Sequence, residues 1–153
     1  MRALLLLALL LALPACDILG PQGVQSAAIQ RVVVEYLDLD QPWDNPLTDD
    51  LPDIYVDIND ETGALFAPEF RSDVRENVEA LPLKFPASGE YVVPLDATVR
   101  LSVADRDFAG DDQMFAAGPF TFGERYAGQE IGETTALAFE NEQGRVRIFV
   151  RWE

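Results

Sequence analysis

The residues with the clearest chemical potential are aspartates on short spacings. Asp105 and Asp107 stand two apart, and Asp111-Asp112 follow after Phe108-Ala109-Gly110. A second group, Asp49, Asp50 and Asp53, immediately precedes an alternating apolar run. Carboxylates crowded on loops repel one another unless a cation lies among them. Hard divalent cations take oxygen ligands, and Ca2+ accepts about six to eight of them in flexible geometry. Asp105 and Asp107 can both face one side of an extended loop, and Gly110 lets the chain reverse before Asp111 and Asp112. Two such loops at one end of a domain would make an oxygen-lined cup. In that arrangement alternation should point Arg106, between two of the candidates, away from the cup. The same residues have an ordinary use, because Asp at a loop start bonds its own backbone and closes a turn. Taken singly, each reads as a turn residue; their grouping in two loops is what points to a cation. Asp-x-Asp pairs also serve acid–base catalysis. No nucleophile elbow, phosphate loop or zinc-protease motif accompanies them, so a non-catalytic role is expected.

Composition narrows the classes further. The chain has 153 residues with 27 Asp plus Glu, 11 Lys plus Arg, no His and one Cys. Without histidine there is no His general base, no Ser-His or Cys-His nucleophile and no imidazole metal ligand. One cysteine allows neither an internal disulfide nor a thiolate zinc site. A net charge of −16 opposes a phosphate backbone, which argues against nucleic acid as a partner. The acid is uneven: from Val32 to Phe70 there is no Lys or Arg, while that window holds eleven Asp and Glu. Such acidity also serves plain solubility or salt adaptation. A hydrophobic content of 48% is too high for a disordered acidic tail, and the length suits one domain with a real core.

The elements that must position the acids read as short strands. Ile54, Val56 and Ile58 alternate with Tyr55 and Asp57; Val99, Leu101 and Val103 alternate with Arg100 and Ser102. Val146, Ile148, Val150 and Trp152 alternate with Arg145, Arg147 and Arg151. Val32, Val34 and Tyr36 fall on one face of a Val-rich run, and Leu81, Leu83 and Phe85 lead through a turn at Ala87-Ser88-Gly89 to Tyr91 and Val93. Phe120 and Phe122 add another alternating pair. Period two with one apolar face, broken by Gly, Pro, Asn and Asp clusters, predicts an all-β antiparallel sandwich of about eight strands. Helical periodicity is weak, with Ser72–Ala80 and Glu133–Phe139 as the only short candidates. Asp53 then opens one strand and Asp105 closes another.

The N-terminus carries a different signal. Arg2 is followed by an unbroken Leu and Ala run from Ala3 to Leu13, and then Pro14-Ala15-Cys16. The run is too short to span a bilayer but has the length of a signal-peptide apolar region. Leu13-Pro14-Ala15-Cys16 resembles the lipobox of bacterial lipoproteins, with Pro14 in place of the usual small or aliphatic residue. That resemblance implies cleavage before Cys16 and acylation, palmitate included, of Cys16, holding the protein to a membrane of the bacterial cell envelope and facing the periplasm or the exterior. The alternative is an ordinary secretory signal. Residues 1–15 are thus expected to be a cleaved signal peptide, residues 16–28 a lipidated cysteine and flexible tether, and residues 29–153 the folded domain.

The order of the motifs in that domain resembles the C2 (calcium- and phospholipid-binding) domain. Pro52-Asp53-Ile54-Tyr55-Val56 is similar to the Asp-Pro-Tyr-Val of its first loop, with Ile54 where Pro is usual. Asn77, Leu81-Pro82 and Phe85 look like a reduced form of the next stretch, and Val99–Asp107 with Asp111-Asp112 matches the strand ending in Asp-x-Asp. Gly144–Trp152 fits the closing strand. The resemblance implies a C2-like sandwich with Ca2+ held by Asp53, Asp105, Asp107 and Asp112, and Asp50 as a further first-loop ligand. It also implies calcium-dependent contact with lipid or an envelope protein. The basic strand that would bind acidic headgroups is poor here, since Lys84 is the only lysine. The expected function is a membrane-anchored, non-catalytic calcium-binding and interaction module. The alternative is a metal-free structural or protein-interaction lipoprotein on the same sandwich.

Overall fold

The strands form where apolar residues recur every second position, and the parity of that pattern decides which side faces in. The computed structural model describes residues 23–39, 51–61, 70–107 and 110–153. Within them lie β1 (Ser26–Leu37), β2 (Ile54–Asp60), β3 (Phe70–Arg71), β4 (Leu83–Pro94), β5 (Thr98–Asp105), β6 (Asp112–Thr121), β7 (Thr134–Asn141) and β8 (Gly144–Trp152). They make two four-stranded sheets, ordered β4-β1-β8-β7 and β3-β2-β5-β6. All pairings are antiparallel. The expected eight-stranded antiparallel sandwich is therefore present. The signal peptide and Cys16 lie outside the described residues.

β8 shows the logic most simply. Val146, Ile148, Val150 and Trp152 are fully buried, while Arg145 and Arg151 are exposed and Arg147 is half-buried beside Glu35, 3.2 Å away. From the other sheet Ile54, Val56, Ile58, Val99, Leu101 and Val103 close the same core, all with no exposed surface. Two inner faces of β-branched and aromatic side chains packed in this way are what hold a sandwich together. Trp152 also keeps its indole satisfied, donating from Nε1 to Thr135 Oγ1 at 2.9 Å.

Five local expectations are corrected. Tyr36 does not join Val32 and Val34 in the core; it is 55% exposed. The β1–β8 register shifts between Val34 and Tyr36, so a bulge turns Tyr36 out and returns Leu37 to the interior. Glu133–Phe139 is not helical: residues 134–141 are β7. Asn141 Oδ1 accepts from the N–H groups of Gln143 and Gly144 at 2.9 and 3.1 Å, closing a tight turn that folds β7 onto β8. Ser72–Ala80 is also not helical, because Arg75 and Ile54 exchange backbone hydrogen bonds at 2.8 and 2.9 Å. Ala87-Ser88-Gly89 is no chain reversal but an irregularity within the single strand β4, where Ile29 pairs with Tyr91 and Arg31 with Pro86. The strand β1 also starts at Ser26, inside the segment expected to be tether, with Ala27 and Ala28 buried.

Candidate functional site

Three strand ends meet at one end of the second sheet. Ile54 at the start of β2 pairs with Asp105 at the end of β5, which pairs in turn with Asp112 at the start of β6. The two acidic segments are thus side by side. Asp105 has no exposed surface, and its Oδ1 accepts the Asp53 N–H at 2.6 Å. The N–H of Arg106 returns a bond to the Asp53 carbonyl at 2.9 Å. Asp105 therefore closes the ladder where regular pairing stops, supplying the acceptor that a strand end otherwise lacks.

The carboxylate of Asp53 is held in its turn. Its Oδ1 accepts the backbone N–H of Asn77 at 2.9 Å. Asn77 sits at φ 53°, a left-handed conformation that Asn tolerates better than most residues. The neighbouring chain is fixed by the Val78 N–H on the Pro52 carbonyl at 2.9 Å. On its other side Asp53 Oδ2 lies 3.6 Å from the Arg106 guanidinium, which also lies 3.7 Å from Glu76 Oε1. Arg106 does not point away from the acidic end as expected. It lies past the last residue of β5, where the two-residue alternation no longer applies, and its own N–H anchors it to Asp53.

Of the other expected ligands, Asp112 is exposed opposite Asp105 in register, and Asp107 is half-buried just beyond β5. Asp50 lies outside the described residues, as do Asp44, Asp49 and Cys16. Asp111, not among the carried-over ligands, accepts a hydrogen bond from the Tyr55 hydroxyl at 2.7 Å. Burial, then the hydrogen bond to Asp111 and its negative charge, raise the Tyr55 hydroxyl above the ordinary tyrosine pKa. Arg71 lies over the Tyr55 ring at 5.0 Å and bonds Asp57 at 3.1 Å, so this outward face of β2 is covered rather than open.

The donor chemistry suits a hard cation, and Asp53 with Asp105 are adjacent as a shared site requires. The described geometry supplies only part of such a site. Among the described residues no three His, Cys, Asp or Glu gather as metal ligands would, and the positive charge nearest Asp53 is Arg106. Nothing in the spacing of Glu76 or Tyr55 announces their parts. Both act through partners far away in the chain.

No protein-family profile and no curated protein matches the sequence. Solved structures do share its fold. The first C2 domain of a plant Extended Synaptotagmin 1 covers 86% of this chain and 96% of its own, at 14% identity and a TM-score of 0.58. The calcium-bound pair of C2 domains of Extended-Synaptotagmin 2 gives 16% identity and 0.58 over 85% of this chain and 46% of theirs. Human GIVD cytosolic phospholipase A2, solved with a fluorophosphonate inhibitor and terbium chloride, gives 15% and 0.57 over 85% of this chain. This chain spans only 17% of that enzyme's length. At these identities the likeness is one of fold, and the fold is C2-like.

Proposed function

We propose that this chain is a lipid-anchored lipoprotein of the bacterial cell envelope whose C2-like sandwich is a non-catalytic binding module with a calcium-responsive loop end. The observation that carries the reading is the adjacency of Asp53 and Asp105 at one end of a C2-like sandwich, with Asp112 opposite Asp105 in register. Two solved structures that contain this fold, one calcium-bound and one with terbium chloride, support a cation-binding module in general. The Leu13-Pro14-Ala15-Cys16 sequence supports the anchor. When bound, Ca2+ would neutralise the loop carboxylates and offer open coordination positions to a partner's oxygen atoms. Asp53, Asp105, Asp107, Asp112 and Asp50 are the residues that would hold it. Asp105 and Asp53 would present their oxygens in a frame already fixed by the Asp53 and Asn77 backbone bonds.

A second reading has its own observation. Arg106 bridges Asp53 and Glu76, so the acidic end carries a built-in positive charge and can serve as a metal-free interaction surface. Calcium titration with thermal melting separates the two. Under the first reading millimolar calcium raises the melting temperature, Asp105→Asn with Asp107→Asn abolishes the rise, and Arg106→Gln enlarges it. No melting shift and no calorimetric heat in either the parent or Arg106→Gln would leave the metal-free reading. Extracellular calcium modules bind at about 10⁻⁴ to 10⁻³ M, so the titration must reach that range.

A further inference from the structure

Each sheet has two edges, and a strand edge with unpaired N–H and C=O groups invites another strand unless it is guarded. Three of the four edges here are guarded. β3 is only two residues long. β4 carries Pro86 and Pro94 and the irregularity opposite Ile29 and Arg31. β6 carries Gly118-Pro119 and two register shifts, and Asn141 Nδ2 covers the Ala116 carbonyl at 3.0 Å. β7 has none of these devices. Its eight residues pair with β8 in unbroken register, contain no Pro, Gly, Lys or Arg, and have no further strand on the open side among the described residues. Along that open side runs a cleft of about 410 Å³ between β7 and β6, lined by Ala116, Pro119, Phe139, Glu140 and Asn141, with Arg125 over the Phe139 ring at 5.1 Å.

We propose that β7 is a docking edge for an extended polypeptide with an apolar centre and basic flanks, which adds to the sheet as a fifth strand. Main-chain hydrogen bonds to β7 would give the affinity, and the cleft would take the side chains that alternate inward. The flanks follow from charge. Exposed Glu130 and Glu133 stand before β7, and exposed Glu140 and Glu142 stand at its far end. Arg145 pairs with Glu140 at 2.7 Å, so at that end Glu142 is the carboxylate left for a basic flank among the described residues. A second copy of this chain fits poorly, because antiparallel β7–β7 pairing would set the Glu130–Glu133 end against the Glu140–Glu142 end.

The test is amide hydrogen exchange of the unlipidated mature chain in EDTA, so that failure of calcium binding has no bearing on it. The probe is a synthetic peptide of alternating valine and threonine with paired lysines at both ends. It should slow exchange in β7 saturably, and a peptide with glutamates in place of the lysines should not. Ala138→Pro removes an edge N–H, and Ala138→Lys adds a guarding charge at an exposed position; each should weaken probe binding by about tenfold or more. Should Ala138→Pro fail to fold, Ala138→Lys carries the test, with its melting temperature as the check. Four results would overturn the proposal: no added protection with the lysine peptide; equal binding of the glutamate peptide; β7 protection that grows with protein concentration alone, meaning a second copy; and full β7 protection in the dilute chain alone, meaning that its own segment holds the edge.

Discussion

Asp105 offers the sharpest test of how the acidic end is built. Its carboxylate is wholly buried and accepts the Asp53 N–H at 2.6 Å. If that bond is its structural role, what matters is an acceptor at Oδ1. Asp105→Ala removes the acceptor and strands the Asp53 N–H at a ladder end. A lost buried hydrogen bond with an unsatisfied partner costs about 1–3 kcal/mol. The small void left in a fully packed position adds roughly 1 kcal/mol. The expected total is about 2–4 kcal/mol, which for a domain of this size lowers the melting temperature by roughly 6–15 °C. Asp105→Asn keeps the shape and the carbonyl acceptor, removes the charge and turns the second oxygen into an NH2 donor. It should stay within about 1 kcal/mol of the parent, because carbonyl and carboxylate oxygens accept an N–H at similar geometry. Thermal unfolding in EDTA, followed by near-ultraviolet circular dichroism, reads both variants without metal. If Asn proves as damaging as Ala, the negative charge itself is required and the acceptor argument fails. If Ala proves neutral, Asp105 is not what closes the end of the β2–β5 ladder.

Ile148→Ala, at a position with no exposure between Val32 and Leu137 in register, should cost about 2–5 kcal/mol in denaturant unfolding, while Arg147→Ala should stay within about 1 kcal/mol. Gly144→Ala should destabilise the β7–β8 turn by about 1–3 kcal/mol, since the added carbon would lie 2.5 Å from the Tyr36 carbonyl oxygen and backbone must move; a neutral result would mean that β1 and β8 are less tightly apposed. Tyr55→Phe should lose about 0.5–1.5 kcal/mol at neutral pH through the Asp111 bond. Because folding raises the Tyr55 pKa, that contribution is complete below the ordinary tyrosine range near 10 and disappears as pH climbs through the raised value, so parent and variant melting curves should converge in strong alkali. Cys16→Ser should abolish lipid labelling and shift the protein out of the membrane fraction, whereas unchanged labelling would remove the lipoprotein reading.

The sequence made the core legible wherever one face of a strand is buried along its whole length. Val146, Ile148, Val150 and Trp152 could not all change sides without placing Arg145, Arg147 and Arg151 in the interior, so parity alone fixed β8. The same rule failed at Tyr36 because a bulge belongs to the pairing of two strands, and neither strand announces it alone. It failed at β7 because Ala136, Leu137 and Ala138 are sound helix formers; only the turn at Asn141 and the partner β8 decide the outcome. The nearness of Asp53 to Asp105 was legible from the order of motifs along a C2-like chain. The lean of Arg106 onto Asp53 was not, because side-chain direction past a strand end is set by a carbonyl from another strand.

Magnitudes decide what Arg106 means for the acidic end. Its side chain is 49% exposed and its contacts with Asp53 and Glu76 are 3.6 and 3.7 Å, so the pair belongs with surface ion pairs worth about 0–1 kcal/mol. A calcium site of about 10⁻⁴ to 10⁻³ M corresponds to roughly 4–5.5 kcal/mol. Displacing the guanidinium therefore takes only a fraction of what such a site would yield, about a fivefold loss of affinity at most. The backbone frame costs the cation little, because the Asp53 and Asn77 N–H bonds already hold Asp105 and Asp53 in place. Under the calcium reading Arg106 would thus tune the affinity of the loop end, while the Asp53–Asp105 ladder closure shapes that end in the structure as it stands.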